Sequence, residues 1–200
     1  LNNLNLRHGG TANAPIYIRG ESRNGVTLTD TTDAIILIQA ANNVVIENMT
    51  LQGSRVDSGI DAYSRGVSFH VGNVGLNQTR ITLRNLTLIG VDQGIKAHAP
   101  VSELLVYSNT LLGNNKWDQD YYGWNGRGAP GVGDGIPDLD ENAFWNDDGI
   151  NATGNGNVAF NNTLNGFGDS FAMAQNSNST SYGVHFYRND VRNSGDDLLE

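Results

Sequence analysis

The chain has no cysteine, only 4 prolines and, among its 12 basic residues, just two lysines, Lys96 and Lys116. Without cysteine there are no disulfides and no thiolate-ligated metals, which is compatible with an exported bacterial protein. Scarce proline beside 25 glycines and 27 asparagines points to many tight, regular turns, because asparagine tolerates left-handed backbone and bonds its own main chain. No apolar run approaches the roughly 20 residues of a membrane-spanning helix, and "LNNLNLRHGG" does not read as a signal peptide. A net charge of −9 argues against nucleic acid, which needs clustered Lys and Arg. A polyanionic partner would need a metal bridge or a few well-placed arginines.

What is present is a repeat. One half of it reads "VVIENMTLQG" from Val44, "ITLRNLTLIG" from Ile81, "LLVYSNTLLG" from Leu104, "VAFNNTLNG" from Val158 and "HFYRNDVRNSG" from His185. Each is an apolar alternation, an asparagine (Asn48, Asn85, Asn109, Asn162, Asn189), a second apolar piece and a glycine turn. The other half reads "VDSGIDA", "VDQGIKA", "NDDGINA", "FGDSFAMA" and "SGDDLLE". Period-2 alternation with β-branched residues predicts strands, and no segment has a helical period. Asn85 to Asn109 is 24 residues and Asn162 to Asn189 is 27, so each repeat is expected to be one coil of an all-β solenoid.

An asparagine at a turn in every coil resembles the right-handed parallel β-helix proteins, the pectate-lyase-like superfamily. Length and the repeat pattern predict a single domain over residues 1–200, with about five or more coils and a loop insertion at 116–141 that interrupts the repeat. A Greek-key β-sandwich is the alternative, but it would not keep one register through five repeats. The chain stops in mid-strand at "GDDLLE", so further coils are expected beyond Glu200.

Aligned on Ile60, Ile95, Ile150, Phe171 and Leu198, the second half-repeats carry Ser58, Gln93, Asp148, Asp169 and Asp196 two positions earlier. Coils stacked roughly 4.8 Å apart would set three carboxylates in a row, with Asp147 and Asp197 beside them. Like charges at that spacing call for a cation, a proton or a partner. Oxygen-rich and cysteine-free, such a ladder suits Ca²⁺. The plainer reading is a set of solvated turn acids before glycine.

"NDDGI", Asn146–Ile150, resembles the calcium-binding double-Asp turn of β-helical pectate lyases with an Asp-cluster metal site. That resemblance implies Asp147, Asp148 and Asp169 as metal ligands, with Ca²⁺ bridging an acidic sugar and acidifying its C5 proton. The family's lysine base lies on a later strand, where this chain reads "DSFAMA" and has none. "SGDDLLE" is similar to the Gly-Asp-Asp of polygalacturonase-like hydrolases, which implies acid/base roles for Asp196 and Asp197.

Within "GIKAHA", Ile95 and Ala97 are expected to face inward, which leaves Lys96 and His98 outward on the ladder face. Lys96 is the candidate base and His98 a candidate substrate contact; a plain ion pair between Lys96 and Asp61 of the previous coil is the alternative. Arg188, near a coil turn, is a candidate clamp for a sugar carboxylate. The insertion carries Trp117, Tyr121, Tyr122 and Trp124, rings that can stack on sugars or cover the adjacent coil. Its end, "DGIPDLDE", resembles half of a thrombospondin-type acidic calcium loop, which implies Asp134, Asp138 and Glu141 as further ligands.

The expected function is that of a secreted, monomeric carbohydrate-active enzyme. A calcium-dependent lyase acting on an acidic, uronate-containing polysaccharide comes first. A glycoside hydrolase or uronate epimerase on the same scaffold comes second. A non-catalytic adhesion or structural solenoid is the reading from another class.

Overall fold

The computed structural model describes residues 3–30, 34–53, 64–70, 78–91, 93–97, 100–113, 148–173, 181–194 and 198–199. Among them there is no helix, and every pairing between named strands is parallel. The expected all-β, parallel architecture is therefore observed.

The chain alternates between two sheets. Strands β1 (Leu4–Leu6), β4 (Ala34–Ile38), β6 (Arg65–Phe69), β9 (Gln93–Ala97), β13 (Asp148–Asn151) and β16 (Asp169–Ala172) lie side by side in that order as a six-stranded sheet. The intervening strands build a ten-stranded sheet in two runs. Its first run comprises β2 (Ile16–Arg19), the start of β5 (Val44–Gly53), the start of β8 (Ile81–Val91), β11 (Leu105–Tyr107), β14 (Val158–Phe160) and β17 (His185–Tyr187). Its second run comprises β3 (Thr27–Asp30), the ends of β5 and β8, β12 (Thr110–Gly113), β15 (Thr163–Asn165) and β18 (Asp190–Arg192). A two-stranded ladder joins β7 (Gln78–Thr79) and β10 (Val101–Ser102).

Register turns the apolar alternation into columns. Ile36, Val67, Ile95, Ile150 and Phe171 are consecutive partners in the six-stranded sheet. Ile46, Leu83, Val106 and Ala159 form one column of the ten-stranded sheet, and Leu51, Leu88, Leu111 and Leu164 another. All of these are buried and belong to one continuous cluster. Each fully buried Leu or Ile contributes about 1.5–3 kcal/mol, so stacking like on like fills the core repeatedly with one shape.

Two features of the sequence alignment need correction. In the first of the aligned repeats the residue in register with Ile95 is Val67, not Ile60, which falls outside the described residues together with Ser58 and Asp61. After Phe171 the paired residue is Leu199, not Leu198.

The asparagines also divide into two sets. Asn48 and Asn85 have φ of 58° and 53° and share their position with Ser108, Asn161 and Arg188, all left-handed. Asn109, Asn162 and Asn189 stand one residue later, where the earlier repeats place the core residues Met49 and Leu86. The Oδ1 of each accepts the backbone N–H one repeat back, at 2.9–3.0 Å from Leu86, Asn109 and Asn162. Their Nδ2 groups donate to Leu83, Val106 and Ala159 carbonyls at 3.0 Å. A side-chain ladder thus replaces the backbone ladder where β8 gives way to the separate strands β11 and β12.

Candidate functional site

The second half-repeats share a pattern of polar, small, apolar, outward: Arg65-Gly-Val-Ser68, Gln93-Gly-Ile-Lys96, Asp148-Gly-Ile-Asn151 and Asp169-Ser-Phe-Ala172. The glycines approach the opposite wall of the core. A Cβ at Gly94 would lie 2.5 Å from Leu111 Cδ2, one at Gly149 would lie 2.6 Å from Leu164 Cδ2, and Gly66 has the same relation to Leu88. With the glycine and the next residue both turned inward, the first and fourth positions emerge on the same outer side. Strict alternation would have separated them.

That local bend brings Lys96 to Asp148. Lys96 and Asn151 are register neighbours, as are Asp148 and Asp169, and Lys96 Nζ donates to Asp148 Oδ2. Both side chains are nearly closed to solvent, at 4% and 5% exposure. Asn151 Nδ2 donates to the same Oδ2 at 3.2 Å, and Thr153 Oγ1 donates to Asn151 Oδ1 at 2.8 Å. Ser68, the register partner of Lys96 on β6, is fully buried, and its Oγ has no hydrogen-bond partner among the described residues. Arg65 Nε donates to Gln93 Oε1 at 2.9 Å in the neighbouring column. Lys96, expected to point outward to the ladder face, is instead nearly closed to solvent, and its partner is Asp148, while Asp61 lies outside the described residues. Neither Ser68 nor Asn151 was marked out by the sequence. Their place in the bend motif is the signal that would have found them.

For Ca²⁺, which takes about six to eight oxygens, the described residues at this face offer Asp148 and the half-buried Asp169. Asp148 Oδ2 is already engaged by Lys96 and Asn151. Among the described residues no three His, Asp or Glu side chains gather in a way that could hold a metal. Asp147, Asp134, Asp138 and Glu141 lie outside the described residues, as do Asp196, Asp197, His98, Trp117, Tyr121, Tyr122 and Trp124. Arg188 is exposed at the left-handed turn between β17 and β18 on the ten-stranded sheet, so it is not brought to Lys96.

A second polar constellation was not anticipated. Arg19, Glu47, Arg84, Tyr107, Phe160 and Tyr187 form one continuous register column on the first run of the ten-stranded sheet. Arg19 Nε donates to Glu47 Oε1 and Arg84 Nε to Oε2, while Arg84 Nη1 donates to the Tyr107 hydroxyl at 2.7 Å. Burial alone would raise the Glu47 pKa, but hydrogen bonds and charge from Arg84 and Arg19 outweigh it and hold the carboxyl below its ordinary value. Tyr107, Phe160 and Tyr187 stack on one another at centroid distances of 4.9 and 5.1 Å.

Comparison with known proteins finds no matching family model, no matching curated protein and no matching solved structure.

Proposed function

We propose that this chain is a right-handed parallel β-helix and a carbohydrate-active enzyme, a calcium-dependent lyase that cleaves a uronate-containing polysaccharide by β-elimination. Parallel pairing of every strand with its equivalent one repeat onward supports the solenoid. The observation that carries the function is the Lys96–Asp148 contact, with Asp169 in register beside Asp148.

β-Elimination takes the C5 proton of a uronate, forms the C4–C5 double bond and breaks C4–O, the leaving oxygen taking a proton from water. Lys96 Nζ is the base in this reading. Asn151 and Thr153 hold the Asp148 carboxylate in place. Asp148 and Asp169, with Asp147, are the residues that would hold calcium in this reading, and the ion would make the C5 proton of a bound uronate more acidic. Because Lys96 and Asp148 are closed to solvent, substrate binding has to expose them. The insertion aromatics Trp117, Tyr121, Tyr122 and Trp124 and His98 are the candidate substrate contacts in this reading. Asp196 and Asp197 would carry acid/base chemistry if the reaction is hydrolysis instead.

Burial favours a second reading, in which the Lys96–Asp148 pair is a clip between repeats of a non-catalytic solenoid. Incubation with pectate, alginate and glycosaminoglycans, followed by ultraviolet absorbance of unsaturated uronates, separates the two. A rise with calcium that is lost on chelation is expected for the lyase. No rise and no new reducing ends on any polymer would leave the clip.

A further inference from the structure

On a chain of net charge −9, Arg19 and Arg84 meet over the first run of the ten-stranded sheet, and Arg23 reaches the turn that follows β11 on the same sheet. Arg19 and Arg84 flank Glu47 in register, and that single carboxylate is shared between them. Arg23 comes from the loop between β2 and β3, where its carbonyl accepts from Thr50 Oγ1 at 2.9 Å. Its Nη2 donates to the carbonyl of Ser108, and Arg84 donates to the hydroxyl of the preceding Tyr107. Arg23 and Arg84 therefore end on the same dipeptide. Yet the Arg23 Nε is buried with no acceptor, and no carboxylate pairs with Arg23 among the described residues. Removal from water lowers the Arg23 pKa, as expected for a cation lacking a counter-charge. Glu21, in the same loop, is exposed.

A buried N–H donor without an acceptor is a defect unless something supplies the oxygen. We propose that Arg23, with Arg84 and Arg19, binds an oxyanion, a carboxylate or sulfate carried by an acidic polysaccharide, at a face separate from the Lys96 site. The identity of the polymer rests on the proposed function; the anion site does not. A planar guanidinium fork suits a carboxylate or sulfate. Arg19 and Arg84 come from strands on either side of β5 and converge on the Glu47 carboxylate, which sets their two guanidiniums side by side. Phe160 is sandwiched between Tyr107 and Tyr187, and Tyr187 at the end of the stack stays exposed. Nucleic acid is disfavoured because the chain's overall negative charge repels a dense phosphate polymer.

The test is titration of the full chain, in chelator to stop any calcium-dependent turnover, with polygalacturonate, heparin, neutral dextran and duplex DNA. The expected result is binding to one or both acidic polysaccharides, weakened at least tenfold in Arg23→Gln and unchanged in Arg192→Ala. Uronate alone or sulfate alone names the anion. Affinity of the parent protein should fall steeply with added salt, a readout that needs no variant. The proposal is overturned by equal affinity in the parent and Arg23→Gln, by salt-insensitive binding, by dextran or DNA binding as tight as the acidic glycans, or by no binding at all. Arg23-dependent binding without turnover in calcium would keep this site and remove the lyase.

Discussion

Lys96 and Asp148 make the sharpest demand on the chain at the residue scale, because two opposite charges sit together almost without water. Removing one partner strands the other, which typically costs about 3–5 kcal/mol. Asp148→Ala should therefore lower stability by that amount in urea titration, while the paired replacement Lys96→Met with Asp148→Leu should recover most of it. A double variant no more stable than the single would mean that the pair is not the origin of the loss. Glu47 makes a pH-dependent contribution of its own. Its folded pKa lies below the ordinary 4.5, so its stabilisation is complete above that value and is lost as pH falls through the folded pKa. Glu47→Gln should flatten the decline of melting temperature below pH 4.5, with little change in slope near neutrality.

At the scale of elements, glycines and asparagines decide which side chains meet. Gly94→Val would drive a side chain against Leu111 and the Gly149 carbonyl, and overpacking of this kind costs about 1–3 kcal/mol. Asn162→Ala would strip the acceptor from the Asn109 amide, leaving a buried donor unsatisfied at about 1–3 kcal/mol. Both losses are measurable by chemical denaturation. The strands themselves were legible because alternation over Val44–Gly53 and Ile81–Val91 has no helical competitor. Alignment of Ile95, Ile150 and Phe171 was legible for the same reason. Val67 was missed because "VDSGIDA" imitates the strand that "RGVSF" forms one segment later. The asparagines were merged because the residue serves both a left-handed turn and a side-chain ladder, and those positions are adjacent. The Lys96–Asp148 contact escaped a period-2 rule because the glycine bend sets residues three apart on one side.

At the scale of the whole molecule, the two sheets carry different chemistries on their outer faces. The six-stranded sheet holds the lysine–carboxylate pair and the ten-stranded sheet holds Arg19 and Arg84, so the proposed catalysis and the proposed anion binding are separable by mutation. Columns of one residue type were readable for the core, but the threonine column Thr27, Thr50, Thr87, Thr110 and Thr163 emerges only once register is known. If calcium belongs to the folded protein, it should raise the melting temperature by mass action, about 2.7 kcal/mol at a hundredfold excess over Kd. That shift should vanish in Asp169→Asn. Most direct of all is turnover of an acidic polysaccharide by Lys96→Gln beside the parent chain, both first shown to be folded by circular dichroism. The proposed lyase predicts a rate lower by about 10²–10⁴ with polymer binding retained; an undiminished rate would contradict it.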